Sequence, residues 1–279
     1  MSKTLLRTAA VAAAALALAA CAADPATENS SDTGSTQSTP SDGADTSLTD
    51  IQDAGVLVVG TEGTYRPFSF HEDGSGDLTG YDVEVVTAVA EELGVDVEFQ
   101  ETQWDAIFAG LAAGRFDVIA NQVSITPDRE EAYTFSAPYT VSTGVIVVRA
   151  DDDSITSFED LDGRTTAQSL TSNWHTLAQE SGARIEAIEG WAQAVALVEQ
   201  SRVDATINDK LTFLDFAQAN DASGLKIAAE TQEQSLSAFA FAQGSTSLAD
   251  AVSEALASLA QDGTLAEISE KYFGTDVSS

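Results

Sequence analysis

The chain has 279 residues, with 45 acidic against 12 basic side chains and a formal net charge of -33. A chain this acidic repels nucleic acid and anionic membrane surfaces, so we expect no nucleic-acid partner. Cys21 is the only cysteine. No disulfide can form within the chain, and we expect a buried apolar core to stabilise the fold.

The N-terminal residues have the pattern of an export signal. Lys3 and Arg7 precede the apolar run 9–20, which is shorter than the roughly 20 residues of a membrane-spanning helix. The tripeptide L-A-A directly before Cys21 resembles the bacterial lipobox, whose Cys is acylated after cleavage. We therefore expect a lipoprotein signal peptide at 1–20 and a palmitate-type lipid on Cys21. Ordinary secretion with a stray thiol is the alternative.

The next segment has the composition of a linker. Residues 22–47 are rich in Ala, Ser, Thr, Asp, Gly and Pro and have no apolar periodicity, so 21–47 is predicted to be the lipidated Cys and a flexible tether. The membrane is then contacted through the lipid anchor alone, on the extracytoplasmic face of the cell membrane.

Strands and helices alternate from residue 48 onward, which is typical of parallel sheets. The apolar runs predict strands at Val56–Gly60, Val95–Gln100, Phe116–Ala120, Gly144–Arg149, Thr165–Gln168 and Val203–Ile207. The helical patterns cover Asp82–Leu93 (with Asp82 as N-cap), 104–113, Ser157–Leu161, 172–180, 191–200, 246–260 and 264–272.

One pattern occurs twice, at an offset of 87 residues. Trp104, Arg115, Asp117 and Asn121 correspond to Trp191, Arg202, Asp204 and Asn208. Each segment reads as an amphipathic helix followed by a short apolar strand, which predicts two similar α/β lobes. Ligands of open α/β sheets bind beyond the carboxyl ends of strands. We therefore expect a ligand clamped between the lobes by the predicted loops Thr61–Tyr65, Asn121–Ser124 and Asn208–Asp209.

Several motifs resemble the polar amino-acid binding proteins of ABC importers, solute-binding protein family 3, over about residues 51–274. They are V-G-T-E-G-T-Y-R-P-F (59–68), L-T-G-Y-D-V-E (78–84), F-D-V-I-A-N-Q-V-S-I-T-P-D-R (116–129), F-S-A-P-Y (135–139) and D-G-T-L-A-E-I-S-E-K-Y-F-G (262–274). A closer resemblance, to the cystine-binding subgroup, is carried by G-T-E-G-T-Y (60–65), A-N-Q-V-S (120–124), A-Q-S-L-T-S-N (167–173) and A-T-I-N-D (205–209).

The resemblance implies an α/β fold of the periplasmic-binding-protein-like type II class, a two-lobed Venus flytrap with two hinge strands. We expect lobe 1 at 48–139 plus 238–279 and lobe 2 at 144–232, with hinges near 140–143 and 233–237. The implied partners are a free amino acid and the permease and ATPase subunits of an ABC transporter. We expect this chain to be a monomer.

The resemblance also assigns roles to single residues. Arg129 would bind the ligand carboxylate through two parallel bonds, and Asp209, from the other lobe, would accept from the ammonium. Tyr65 and Trp104 match the aromatic positions that sandwich the ligand side chain, and Glu62 would face its distal end. The remaining expected ligand-binding residues are the polar positions Gln122, Ser124, Gln168, Thr171 and Ser172.

Glu62 suggests the ligand. A carboxylate suits the second ammonium of L-cystine, and it equally suits a Lys, Arg or Gln side chain. We expect L-cystine, with glutamine or a basic amino acid as the alternative. The chain has no nucleophile elbow, phosphate-binding loop or zinc motif, so we expect no enzyme, cofactor or metal. The alternatives of another class are a ligand sensor and a cyclohexadienyl dehydratase-like enzyme, with His175 or Glu62 as its general acid.

Overall fold

The protein is described by a computed structural model that covers residues 44–279, apart from the side chain of Asp73. The predictions for the signal peptide, for Cys21 and for most of the tether lie outside the described residues. No helix within 44–279 combines the length and the hydropathy that a membrane crossing needs.

The described residues form α-helices on both faces of a large sheet. The helices are α1 (Ser47–Ala54), α2 (Tyr81–Leu93), α3 (Trp104–Ala112), α4 (Pro127–Ala132), α5 (Asn173–Glu180), α6 (Trp191–Glu199), α7 (Lys210–Ala219), α8 (Thr246–Asp262) and α9 (Thr264–Phe273). The strands are β1 (Val56–Thr61), β2 (Thr64–Tyr65), β3 (Ser69–His71), β4 (Leu78–Thr79), β5 (Asp96–Glu101), β6 (Val118–Ser124), β7 (Tyr133–Phe135), β8 (Thr140–Arg149), β9 (Thr165–Gln168), β10 (Arg184–Ala187), β11 (Ala205–Asp209) and β12 (Leu225–Ala242).

The large sheet has two parallel parts joined by antiparallel strands. Its order is β10-β9-β11-β8-β12-β6-β1-β5, with β7 paired to β12 off this path. The groups β6-β1-β5 and β10-β9-β11 are parallel, as the alternation of strands and helices predicts. Between them, β8 and β12 run antiparallel to each other and to their outer neighbours. We call the elements around β1, β5 and β6 lobe 1, and those around β9, β10 and β11 lobe 2.

Each lobe has apolar side chains on both faces of its sheet. In β8, Val145 and Val147 belong to one buried cluster of lobe 2, whereas Ile146 and Val148 belong to another. Successive side chains of a strand point to opposite faces, so helices cover both faces there. Both faces of lobe 1 are covered in the same way, with α2, α8 and α9 on one face and α3 on the other.

The long strands β8 and β12 connect the lobes. Residues 140–143 of β8 pair with 234–237 of β12, and the register shifts between Glu230 and Gln234. This short ladder coincides with the segments expected to act as hinges. The lobe boundaries themselves stay a prediction.

Several local predictions are wrong. The predicted loop Thr61–Tyr65 is mostly strand, because Thr61 ends β1 and Thr64–Tyr65 forms β2. The predicted helix Ser157–Leu161 is a shorter 3-10 helix, Glu159–Leu161.

Asn121–Ser124 and Asn208–Asp209 are the last residues of β6 and β11 and do not form loops. Five of these six residues are polar, which hides the strand signal, but neighbouring strands satisfy their backbone groups. Asp82 is not an N-cap, because α2 begins at Tyr81 after Gly80. Its carboxylate is fully buried and accepts from the backbone N–H and the side-chain amide of Gln122.

Candidate ligand-binding cleft

A cavity of about 270 Å³ lies between the two lobes. This is slightly below the roughly 300–1,000 Å³ of sites for drug-sized molecules, so the cavity suits a small ligand. Its wall includes Glu62, Thr64, Tyr65, Trp104, Asn121 and Gln122 of lobe 1, and Gln168, Ser169, Ser172, Trp174, Glu189, Gly190, Trp191 and Asn208 of lobe 2.

Polar atoms without a hydrogen-bond partner are concentrated on this wall. Five of the eight such buried side-chain atoms in the described residues belong to wall residues: Trp104 Nε1, Gln122 Oε1, Gln168 Nε2, Glu189 Oε1 and Trp191 Nε1. Buried polar groups in folded proteins nearly always have a partner, so such a concentration indicates a binding site. Three of the five atoms are N–H donors and two are acceptors. The wall therefore matches a ligand that carries both acceptors and donors.

Glu62 follows β1 and is held by the neighbouring strand β6. Asn121 Nδ2 donates to Glu62 Oε2 at 2.7 Å, and the Glu62 backbone N–H donates to Asn121 Oδ1 at 2.9 Å. Burial raises the pKa of Glu62 to about 7, and the charges of Glu189 and Asp105 add to this shift. Within the described residues, no Lys or Arg lies within ion-pair distance of Glu62. A cationic group of a ligand would stabilise its ionised form.

Arg129 lies on α4 and its guanidinium reaches toward lobe 2. Its Nη1 donates to the Ser124 carbonyl at 2.9 Å, and its Nη2 to the Thr171 carbonyl at 3.1 Å. The guanidinium also lies over the Trp104 ring, at 5.6 Å from the centroid. Burial lowers the pKa of Arg129 to about 10, and no carboxylate of the described chain pairs with it. Arg129 is a partly buried cation held by backbone carbonyls.

Asp209 ends β11 and caps α7 of lobe 2. Its Oδ1 accepts from the Leu211 backbone N–H at 2.8 Å and from Ser142 Oγ at 2.6 Å. Burial raises the pKa of Asp209 to about 6. Like Glu62, it has no Lys or Arg partner within the described residues. The two lobes thus hold unpaired charges of opposite sign in Arg129 and Asp209.

The lobes also contact each other directly around the cavity. Tyr65 of lobe 1 donates through its hydroxyl to Asn208 Oδ1 at 3.2 Å and lies 2.9 Å from Thr212 Oγ1. Asp105 of lobe 1 accepts from Thr171 of lobe 2, at 2.8 Å from its Oγ1. Arg66 Nε lies 3.5 Å from Asp215 Oδ2. These contacts connect the two sides of the cleft.

The structure brings six of the ten predicted binding residues to the cavity wall: Glu62, Tyr65, Trp104, Gln122, Gln168 and Ser172. The other four, Ser124, Arg129, Thr171 and Asp209, are not on it. Arg129 and Thr171 are engaged with each other, Ser124 Oγ contacts Ser235 Oγ, and the Asp209 carboxylate caps α7. Their polar groups have protein partners that a ligand would have to replace.

The sequence did not place Glu189 or Trp191 among the expected ligand-binding residues, although both lie on the cavity wall. The repeated pattern could have indicated Trp191, because it is the counterpart of Trp104. No motif in the sequence contains Glu189. His175, the candidate general acid, lies on α5 and is not among the residues of the cavity wall.

Comparisons with known proteins identify the family of this chain. The model of the bacterial extracellular solute-binding proteins, family 3, matches residues 57–275. The chain belongs to this family. It is 51% identical to the L-cystine-binding protein TcyA of Bacillus subtilis over 228 residues, which cover 82% of this chain and 85% of that protein.

Solved structures of other binding proteins are similar to this one. The L-cystine solute receptor of Neisseria gonorrhoeae in the unliganded open conformation is 46% identical, covers 83% of this chain and 98% of its own, and has a TM-score of 0.57. An ancestral arginine-binding protein bound to arginine is 34% identical, covers 79% of this chain and 99% of its own, and has a TM-score of 0.73. The predicted fold class, a type II periplasmic-binding-protein-like fold, is confirmed.

Proposed function

We propose that this protein is the substrate-binding component of an ABC amino-acid importer and that it binds L-cystine between its two lobes. The observation that carries the proposal is the concentration of unpartnered donors and acceptors on one cavity wall, next to the partly buried carboxylate of Glu62, which has no ion-pair partner in the described residues. The identity to the Bacillus subtilis L-cystine-binding protein supports cystine as the ligand.

The charges around the cleft support an amino acid as the ligand. A free amino acid has a carboxylate that Arg129 would bind in place of the Ser124 and Thr171 carbonyls. Its ammonium would pair with Asp209, which comes from the other lobe. One small zwitterion would then connect the lobes, and binding would favour the closed arrangement over an open one. The hinges in this proposal are 140–143 and 233–237.

The lower similarity to the open cystine receptor fits this motion. Identity is higher to that receptor than to the arginine-bound protein, yet its TM-score is lower. The contacts of Tyr65, Asp105 and Arg66 across the cleft belong to the closed arrangement. We propose that the closed form docks on the permease, and that this chain acts as a monomer without catalysing a reaction.

Membership of an extracellular solute-binding family places the protein outside the cytoplasm. We further propose that a lipid on Cys21 anchors it to the outer face of the cell membrane and keeps it near its permease. Export of a Cys21→Ser variant should then release protein from the membrane fraction. A Cys21→Ser variant that stays with the membrane would contradict the anchor.

Calorimetric titration of the purified protein with the twenty amino acids and with L-cystine tests the proposed ligand. We expect L-cystine to bind at one site and at least about tenfold more tightly than arginine or glutamine, which corresponds to about 1.4 kcal/mol. Tight binding of arginine or glutamine without binding of L-cystine would replace cystine by the alternative ligand.

A further inference from the structure

The first residues of α6 and the residues just before it present an unpartnered acceptor and an unpartnered donor to the cavity. Glu189 Oε1 and Trp191 Nε1 are both buried and without a hydrogen-bond partner, and both residues lie on the cavity wall. They are two positions apart in the chain. An ammonium requires an acceptor and a carboxylate requires a donor, so this short segment matches both charged groups of one amino-acid end.

Local contacts fix this segment. The Glu189 backbone N–H donates to Gln193 Oε1 at 3.2 Å, which ties the residue before the helix to its first turn. The Trp191 ring packs edge-on against Phe216, with centroids 5.8 Å apart and an interplanar angle of 82°. Contacts with α6 therefore fix the backbone of Glu189, and packing against α7 fixes the ring of Trp191. The N-terminus of α6 has no side-chain cap, and its dipole favours a negative group at the same place.

Lobe 1 presents a similar pair on its side of the cavity, in Glu62 and Trp104. The charge of Glu189 contributes to the raised pKa of Glu62, so the two carboxyl groups interact electrostatically. A ligand with a purely cationic distal end would use the carboxylates and leave the indole N–H groups unsatisfied. A distal end that carries both an ammonium and a carboxylate satisfies donors and acceptors together.

We propose that Glu189 and Trp191 form, with Glu62, a second subsite that binds the distal amino-acid end of a ligand carrying two such ends. The inference rests on the proposed function and deepens it, because it names the residues that separate a doubly zwitterionic ligand from arginine or glutamine. Glu189 accepts from the distal ammonium, and Trp191 Nε1 donates to the distal carboxylate.

Three ligands and two variants test the assignment. The ligands are L-cystine, the mixed disulfide of L-cysteine with cysteamine, which lacks the distal carboxylate, and the mixed disulfide of L-cysteine with 3-mercaptopropionate, which lacks the distal ammonium. The variants are Glu189→Gln and Trp191→Phe. Glu186→Gln, at an exposed position of β10, is the matched control. Binding is measured by calorimetry, and folding by thermal melting.

Glu189→Gln should weaken L-cystine and the cysteamine disulfide about tenfold to a hundredfold and leave the mercaptopropionate disulfide unchanged. Trp191→Phe should weaken L-cystine and the mercaptopropionate disulfide about threefold to tenfold and leave the cysteamine disulfide unchanged. Equal losses for all three ligands, or no loss, would overturn the subsite while the proposed function stands. A wild-type protein that binds no L-cystine would overturn the proposed function and the subsite with it.

Discussion

The two repeated segments, α3–β6 in lobe 1 and α6–β11 in lobe 2, have the same helix–strand backbone arrangement and differ in the groups that their side chains contact. In both, a Trp begins the helix and presents an unpartnered indole N–H to the cavity. In both, an Asp before the strand accepts from the backbone N–H of a neighbouring strand. Asp117 accepts from Val58 at 2.9 Å, and Asp204 accepts from Thr165 at 2.7 Å. The recurring Asp residues therefore stabilise the helix–strand arrangement, and we assign them no contact with the ligand.

The recurring Asn residues differ in function. Asn121 contacts Glu62 within its own lobe, whereas Asn208 accepts from Tyr65 of the opposite lobe. The charged residues that come after these Asn residues in the chain, and that we propose bind the ligand, also differ. In lobe 1 this residue is Arg129, and in lobe 2 it is Asp209. A duplicated scaffold thus presents opposite charges to the two charged groups of one amino acid. We infer that ligand recognition arises where the two segments stop resembling each other.

The largest effects are expected from removing these opposite charges. Arg129→Ala and Asp209→Asn should each weaken every amino-acid ligand by at least about thirtyfold, because losing one partner of a buried charge pair costs about 2–5 kcal/mol. Both should weaken S-methyl-L-cysteine, which has one amino-acid end, as much as L-cystine. Calorimetry with both ligands measures this. Arg115→Ala, at an exposed position after α3, is the control. Unchanged affinity in Arg129→Ala would remove Arg129 from the site.

The pH dependence of ligand affinity distinguishes Glu62 from Asp209. Burial raises the pKa of Glu62 to about 7 and that of Asp209 to about 6, and an ammonium binds the ionised forms. Affinity for L-cystine should therefore fall by at least about tenfold between pH 8 and pH 6, because ligand and proton compete. Glu62→Gln should remove most of this dependence and leave a fall below pH 6 that comes from Asp209.

The raised pKa of Glu62 also makes the stability of the fold depend on pH. A carboxyl group whose pKa is raised in the folded state stabilises the fold below its ordinary value of 4.5 and loses that contribution as the pH rises through about 7. Ligand-free Glu62→Gln should therefore melt at a higher temperature than the wild type at pH 8, and the difference should shrink toward pH 4.5. A lower melting temperature at pH 8 would contradict the desolvation of Glu62.

A smaller effect distinguishes the two Asn residues. Asn121→Ala removes the hydrogen bond that holds Glu62, so it should weaken L-cystine more than S-methyl-L-cysteine. Asn208→Ala removes an acceptor for Tyr65 across the cleft, so it should weaken both ligands equally. A neutral hydrogen bond is worth about 0.5–1.5 kcal/mol, which predicts about threefold to tenfold losses. Identical ligand profiles for the two variants would show that the Asn residues do not differ in function.

The smallest effect is expected from the ion pair between Arg66 and Asp215. The Arg66 side chain is 51% exposed, and an exposed ion pair contributes about 1 kcal/mol or less. Arg66→Ala and Asp215→Asn should each weaken L-cystine at most about fivefold, and less at high salt. The double variant should lose no more than either single variant, measured by calorimetry at low and high salt.

Much of the fold was predictable because apolar periodicity marks the buried elements. The strand Thr165–Gln168 was predicted with its observed bounds, and α3 and α6 within one residue of theirs. The ends of β6 and β11 were missed, since most of their last residues are polar although most are buried. Apolar periodicity predicts only the parts of a strand whose buried side chains are apolar. It does not predict strand residues whose side chains are polar and line a site.

The site was predictable to the extent that motifs mark it. The motif around Glu62 and the repeated Trp104 both indicated wall residues. Glu189 belongs to no motif, and it reaches the cavity only because α6 packs where it does. The side-chain partners of Arg129 and Asp209 depend on contacts between segments that are distant in the chain. Such contacts are a property of the folded molecule and leave no local pattern.

A crystal structure of the complex with L-cystine tests the proposed binding mode most directly. We expect one amino-acid end between Arg129 and Asp209, and the other within hydrogen-bond distance of Glu62, Glu189 and Trp191 Nε1. A complex in which the second end points out of the cleft, away from both glutamates, would contradict it.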